Sequence, residues 1–329
     1  MTQRYLITGA QGFVGRFLSA GILAADKEAH VLGLGRSENL PGFFTHFNTV
    51  NGKHYRAPVP AGLTIHGHYR YQQLSLHMTD RLREVIERFE PTVVFHLASA
   101  LHTATDRELF EANIEGTASL MNALAKTKAL VVLGSSGSVY GEPEALPLTE
   151  SQPCNPNDLY GITKLASEQI VRVKALKAGL QFITARIFNV VGPGQSESHV
   201  AGRFAAQLAA STKTLSAGTL ETTRDFIDIR DVASALLLLA HKGERGTTYN
   251  VAGGKETHIH FILSELLRIS GQTGQVEVVS NDAQAAGVSR HVAKTSRLRK
   301  LGFQPAYSLS QSLEDLFNYR RGLYHGAGL

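Results

Sequence analysis

Tyr5-Leu6-Ile7-Thr8-Gly9-Ala10-Gln11-Gly12-Phe13-Val14-Gly15 is the stretch that decides the fold. A short apolar run, three glycines at three-residue spacing and an amphipathic pattern over 13–25 read as strand, tight turn and helix. Glycines there let a pyrophosphate approach the backbone, and the helix N-terminus offers unpaired N–H groups and a partial positive charge. A glycine triplet alone can be only a turn. Its place after the first strand of an alternating chain makes a dinucleotide site the expectation, with Gly9, Gln11, Gly12, Phe13, Val14 and Gly15 as cofactor contacts.

Outward from that turn, strands and helices alternate. His30–Leu34 is the second strand, and Thr79 is the expected cap of a helix bearing Leu82, Val85, Ile86 and Phe89. Thr92–Leu97 reads as a buried strand, 106–126 as one long helix, Leu130–Leu133 as a strand, 158–178 as a helix and Gln181–Ile187 as a strand. Near-continuous apolar strands between helices predict an α/β fold with a doubly wound parallel sheet. The stretch 37–68, rich in Pro, Gly, His and aromatics, is too long for an ordinary connection and reads as a decorated surface loop, a fold over the cofactor or substrate being the alternative. Residues 1–187 are expected to form the dinucleotide-binding domain and 188–329 a smaller α/β substrate lobe, with segments around 225–251 returning to the first. Two or three amphipathic helices are expected in the tail.

Bulk properties exclude several classes. With 43% hydrophobic and 19% charged residues, the 329-residue chain has an ordinary globular composition and enough length for a sizeable core. The longest apolar run, Ala233–Ala240, is too short to span a bilayer, and no signal peptide precedes Tyr5. One cysteine, Cys154, excludes an internal disulfide framework and a cysteine-based metal site. These features predict a cytoplasmic protein with no membrane partner. The net charge is +5, but the basic residues are scattered and the densest cluster, 290–299, lacks interleaved aromatics, so no nucleic-acid partner is expected. His258 and His260 have no evident third ligand, so no metal is expected either.

The end of the second strand selects the cofactor. A carboxylate there bonds the ribose 2′-OH of NAD, whereas Arg accommodates a 2′-phosphate. Here Arg36 and Ser37 follow Gly35 with no acid until Glu38, which favours NADP(H), with NAD(H) as the alternative. Further on, Tyr160-Gly-Ile-Thr-Lys164 puts a phenol and an ammonium one helical turn apart. A cation that close is expected to lower the Tyr160 pKa, so that the phenol exchanges protons with a carbinol or carbonyl oxygen. Ser136 lies 24 residues upstream, just after an apolar strand.

These pieces resemble the extended short-chain dehydrogenase/reductase family, whose members act largely on nucleotide sugars. The matching segments are Thr8–Gly15, His96-Leu-Ala98, Asn113, Ser135–Gly141, Tyr160-x-x-x-Lys164, Asn189-x-x-Gly-Pro-Gly194 and Arg224–Asp228, in the expected order. The resemblance implies that Tyr160 is the acid/base, Ser136 hydrogen-bonds the reacting oxygen, and Lys164 holds the nicotinamide ribose. It implies a bracing or water-relay role for Asn113. It adds Ser75, Leu76, Leu97, Ala98, Ser99 and Ile187 to the cofactor contacts, Ser75 standing where the family usually has an Asp.

In the family's 4,6-dehydratases a carboxylate follows the active-site hydroxyl residue; here Gly137 and Ser138 stand there, which disfavours dehydration. The second half looks like GDP-4-dehydro-6-deoxy-D-mannose reductases, which implies an NDP-4-keto-6-deoxy sugar substrate. Ser136, Ser138, Asn189, Arg203, Arg224 and Arg290 are then the expected substrate contacts, an ion pair of Arg224 with Asp225 or Asp228 being the alternative for that residue. An Arg-Pro-x-Glu element expected to grip the nucleotide is replaced by Ala283-Gln-Ala-Ala286. His102 is open between the substrate pocket and an unpartnered loop. Helices 106–126 and 158–178 have apolar stripes on more than one face; the resemblance, to a family whose members commonly pair these helices, implies a homodimer, with deeper burial within one chain as the alternative. The competing functions are a nucleotide-sugar 4-epimerase that retains NAD and a catalytically silent NADP(H) sensor.

Overall fold

The computed structural model describes residues 2–280 and 288–325. β1 (Arg4–Thr8) passes through the glycine turn into α1 (Phe13–Ala25) and returns as β2 (His30–Gly35). A hairpin of β3 (Phe43–Val50) and β4 (Lys53–Pro58) follows, then β5 (Tyr69–Gln73), α2 (Thr79–Phe89) and β6 (Val93–His96). The next helix is composite: α3 (Asp106–Leu109), a π-helical turn (Phe110–Glu115) and α4 (Gly116–Leu124). β7 (Leu130–Ser136) runs into a 3-10 turn (Gly137–Tyr140), followed by α5 (Leu159–Ala178) and β8 (Gln181–Ile187).

The second half holds β9 (Asn189–Val191), α6 (Val200–Ala209), β10 (Thr214–Ala217), β11 (Thr223–Asp228), α7 (Ile229–Lys242) and β12 (Thr248–Val251). β13 (Glu256–His258), α8 (Ile259–Ser270), β14 (Glu277–Ser280), α9 (Ser296–Lys300) and α10 (Leu309–His325) complete it.

The main sheet has the order β12-β8-β7-β6-β1-β2-β5, and every pairing in it is parallel. Its strands are apolar on both sides because helices cover both. Tyr5 and Ile7 of β1 pack with Phe17 and Leu18 of α1 and Leu236 and Leu239 of α7. Leu6, pointing the other way, packs with Leu82 of α2, Leu120 of α4 and Val171 of α5. Each such Leu or Ile contributes about 1.5–3 kcal/mol by leaving water. The fold is therefore a doubly wound, Rossmann-like α/β sheet.

The smaller elements correct several expectations. The stretch 37–68 is not a surface loop: it contains the antiparallel β3–β4 hairpin, and Phe44 is fully buried against Phe13. Alternation of buried and exposed side chains around Phe44, hidden among turn residues, drives this. Tyr319 donates to the Pro58 carbonyl at 2.8 Å, and the Thr49 amide to Glu197 at 2.8 Å, so the hairpin is sewn to α10 and the loop before α6. β5 also escaped the sequence reading, although Tyr69 and Tyr71 alternate; as an edge strand it carries polar residues. Met78, not Thr79, is the N-cap of α2, and Thr79 donates to the His77 carbonyl instead. The long helix ends at Leu124 and is broken by the π turn.

Of the returning segments, α7 and β12 join the main sheet's layers, whereas β11 pairs with β9 and β13 in a separate three-stranded sheet. A third core gathers Phe204, Leu215, Ile262, Leu266, Leu313 and Leu316 from α6, β10, α8 and α10. Among the described residues, no helix is long and apolar enough to cross a membrane.

Candidate active site

Parallel strands end on the same edge, so the expected site residues converge by topology alone. Thr8 is in register with Leu34 and His96, His96 with Leu133, and Ser136 with Ile187. The turns after these strands carry 9–15, 36–37, 75–76, 97–99 and 136–138. This is the edge on which open α/β sheets bind ligands.

The glycine turn fits a pyrophosphate. A Cβ on Gly9 would lie 2.8 Å from the Ala98 nitrogen, and one on Gly15 2.4 Å from the Gly9 carbonyl oxygen. Gly12 caps α1 with no side-chain hydrogen bond, and no acid stands in the first turn, so the helix N–H groups are open to an anion. The Gln11 side chain turns away from the turn. Its Nε2 donates to the Glu38 carbonyl and Ser37 Oγ, while its Oε1 accepts from Leu40 N and Arg16. Arg16 also donates to the Leu40 and Phe43 carbonyls, tying α1 to the hairpin's root.

Arg36 is exposed at the end of β2, and its charge lowers the pKa values of Glu108 and Glu111 behind their own hydrogen bonds. Ser37 Oγ lies 3.1 Å from Gln11 Nε2 and 3.4 Å from the Tyr71 hydroxyl. Ser75 Oγ accepts a long bond from the His77 amide at 3.4 Å, and its carbonyl accepts from the Met78 amide.

Asn113, within the π turn, is almost fully buried. Its Oδ1 accepts from Ser99 Oγ and the Ala100 amide, both at 2.8 Å. Its Nδ2 donates to Thr163 Oγ1 at 3.0 Å, so it braces α5 against the turn after β6. A π turn widens the helix by one residue and often marks a functional position. His96 is held between Thr8 Oγ1 at 2.7 Å and Thr117 Oγ1 at 2.9 Å; burial, with Lys164 nearby, lowers its pKa to about 3.

Ser136, Tyr160 and Lys164 meet where β7 ends against α5. Asp158 caps α5 by accepting from the Gly161 amide at 2.6 Å, which fixes the first turn bearing Tyr160. The expected electrostatics are reversed. Burial raises the Tyr160 pKa, Ser136 opposes this as a hydrogen-bond partner, and Asp158 adds to it. The Lys164 ammonium donates to the Gly134 carbonyl at 2.6 Å, and burial lowers its own pKa to about 8 despite Glu168. Beneath them Arg186 and Glu168 form a buried bidentate pair at 3.0 and 2.8 Å, with Ser135 also donating to Glu168.

The expected substrate residues are less uniformly placed. Arg224 is half-buried, forms no ion pair with Asp225 or Asp228 among the described residues, and donates to the Thr223 carbonyl at 2.7 Å. Asp228 pairs with Arg230 instead, and Asp225 accepts from the Gly254 and Ala293 amides. Arg290 forks onto Glu256 at 2.7 and 2.8 Å. Asn189 Nδ2 donates to the Asp225 carbonyl, joining β9 to β11. Arg203 is exposed on α6, and the Ser138 amide donates to Ser136 Oγ at 3.1 Å. Ala283–Ala286 lie outside the described residues.

His102 packs edge-on to the Tyr160 ring at 6.4 Å and to His199 at 5.6 Å, so it belongs to the site. His199 and His291 escaped the sequence reading, since neither lies in a motif. No cluster suited to a metal ion exists among the described residues.

The fold is shared with known proteins. The chain is 30% identical to GDP-6-deoxy-D-mannose reductase of Pseudomonas aeruginosa over 97% of both chains. It is 28% identical to UDP-glucose 4-epimerase of Mycolicibacterium smegmatis, covering 97% of this chain and 98% of the relative. The structure of RMD from Pseudomonas aeruginosa complexed with NADPH superimposes with a TM-score of 0.78 at 27% identity, covering 98% of this chain and 99% of that one. The Thermus thermophilus UDP-glucose 4-epimerase complex with NAD gives 0.80 at 25%, covering 97% and 99%. Residues 5–252 match the family model, and the chain belongs to the NAD dependent epimerase/dehydratase family, whose members are NAD(P)-dependent enzymes.

Proposed function

We propose that this protein reduces the C4 keto group of an NDP-4-keto-6-deoxy sugar, GDP-linked in preference, with NADPH. The observation that carries the reading is the acid-free turn after Ser136. A Cβ on Gly137 would lie 2.9 Å from the His291 ring and 3.1 Å from Phe188, so the place of a dehydratase carboxylate is closed. The identity to GDP-6-deoxy-D-mannose reductase supports the same direction.

Bound NADPH supplies the hydride. The glycine turn and the N-terminus of α1 hold its pyrophosphate, and Arg36 and Ser37 receive the 2′-phosphate. Tyr160, kept protonated by burial, donates its proton to the C4 oxygen as the hydride arrives. The Ser136 hydroxyl donates a hydrogen bond to that oxygen and orients it. Lys164 supports the ribose from beside Gly134, and Arg224, without an ion pair among the described residues, offers its fork to the diphosphate.

A 4-epimerase with retained NAD is the second reading, favoured by the near-equal identity to UDP-glucose 4-epimerase. The test is NADPH oxidation with GDP-, dTDP-, CDP- and UDP-linked 4-keto-6-deoxy sugars, product stereochemistry being read by NMR. Stoichiometric oxidation supports the reductase. Purification with tightly bound NAD and interconversion without added reductant would replace it with the epimerase.

The same reading assigns 1–187 to the cofactor and 188–329 to the sugar nucleotide, with β12 and α7 returning. It places the protein in the cytoplasm as a homodimer. Ile162, Val173 and Leu176 form an exposed apolar stripe on α5, flanked by exposed Phe110, and a second copy would cover it.

A further inference from the structure

Resting on the sugar-nucleotide reading, we infer that His291 is a specificity-determining residue whose Nε2 accepts a hydrogen bond from a hydroxyl of the substrate's hexose. His291 is 5% exposed, and its ring stacks on Phe188 at 4.9 Å and 28°. The chain on either side is sewn down: Arg290 bridges to Thr223, and the Ala293 amide donates to Asp225 at 3.0 Å. The imidazole is thereby fixed over Gly137, one residue from Ser136, and beside the Arg224 guanidinium.

The ring's protonation follows from its neighbours. Burial and the Arg224 charge hold it neutral, lowering its pKa to about 4 against a hydrogen bond to the Gly137 backbone and the Glu142 charge. Nε2 has no partner among the described residues, and the proposal places the proton of the neutral ring on Nδ1, toward the Gly137 backbone. Nε2 is then a buried acceptor. Leaving such a group unpaired is costly, so a ligand that donates to it gains selectivity over one that does not. An acceptor of this kind rejects a phosphate oxygen and takes an O–H. Its position between Ser136, at the reacting carbon, and Arg224, at the diphosphate, assigns that O–H to the hexose.

The test uses the full-length protein and the sugar nucleotide selected by the reductase panel, with its 2-deoxy and 3-deoxy counterparts, binding being measured by calorimetry. One deoxygenation is expected to weaken binding about tenfold. His291→Phe, which keeps the stack on Phe188, should bind the intact ligand about tenfold more weakly and lose the penalty for that deoxygenation, with NADPH affinity unchanged. If no single deoxygenation weakens binding to the unaltered protein, or if the penalty persists in His291→Phe and His291→Leu, the inference is wrong while the reductase reading stands. If no sugar nucleotide binds at all, the functional reading fails and the inference with it.

Discussion

Lys164 donates to the carbonyl oxygen of Gly134 at 2.6 Å, crossing from α5 to β7 two residues before Ser136. The bond ties the ammonium to the strand that carries Ser136, while burial outweighs the acidifying effect expected for the phenol. Desolvation then governs Tyr160 and keeps its proton in place, which suits a residue that must give a proton to a nascent alkoxide.

Tyr160→Phe should therefore lower kcat by about 10²–10⁴-fold, the range for general acid catalysis, while NADPH binding stays intact. Stopped-flow NADPH oxidation alongside a fluorescence titration separates the two. Unchanged turnover would remove Tyr160 from the chemistry.

Arg36→Ala should weaken NADPH about 10–100-fold and leave NADH within about twofold, because a hydrogen bond to a charged group contributes about 1.5–3 kcal/mol. The measurement is the ratio of the two dissociation constants. Equal loss for both cofactors would show that Arg36 contacts adenine rather than a 2′-phosphate.

Phe44→Ala should destabilise the protein by about 3–5 kcal/mol, the cost of emptying an aromatic site in a core. Phe44 is fully buried between Phe13 of α1 and Gly194, so this change tests whether the insertion is part of the fold. Urea denaturation measures it, and a loss under 1 kcal/mol would return the hairpin to decoration.

Acid should unfold the protein through its neutral histidines. Burial lowers the pKa values of His46, His199 and His291 to about 4 each, with neighbouring cations or imidazoles adding to this, and that of His96 to about 3. In the unfolded chain these rings take protons near pH 6.5. Between about 6.5 and 4 the unfolded state thus binds more protons, and stability falls as pH falls. Urea midpoints measured at pH 7.5, 6 and 5 should drop progressively, and His96→Gln should flatten the curve. A midpoint constant across that range would contradict the neutral assignment.

Much of this was legible in the chain. Periodicity of apolar residues located β1, α1, β2, β6, β7, α5 and β8 because a helix and a buried strand each impose their own spacing. The glycine turn was legible because Gly9 and Gly15 tolerate no Cβ where the backbone of Ala98 and Gly9 crowds them. The hairpin was not, because Phe44 is buried by α1, and no local pattern records a partner thirty residues away. His291 was equally hidden: its acceptor exists only because Gly137, Phe188 and Arg224 arrive from three other segments.

The amino-acid order by itself determined the parallel sheet, the glycine-lined end of α1 and the spacing of Tyr160 and Lys164, since these are short-range matters of sterics and periodicity. Tertiary structure alone decided where each charge is spent: Lys164 on the Gly134 carbonyl, Arg290 on Glu256, Arg224 on the Thr223 carbonyl. Burial and pairing across distant segments set those choices, because the energy of a charge depends on what surrounds it in space.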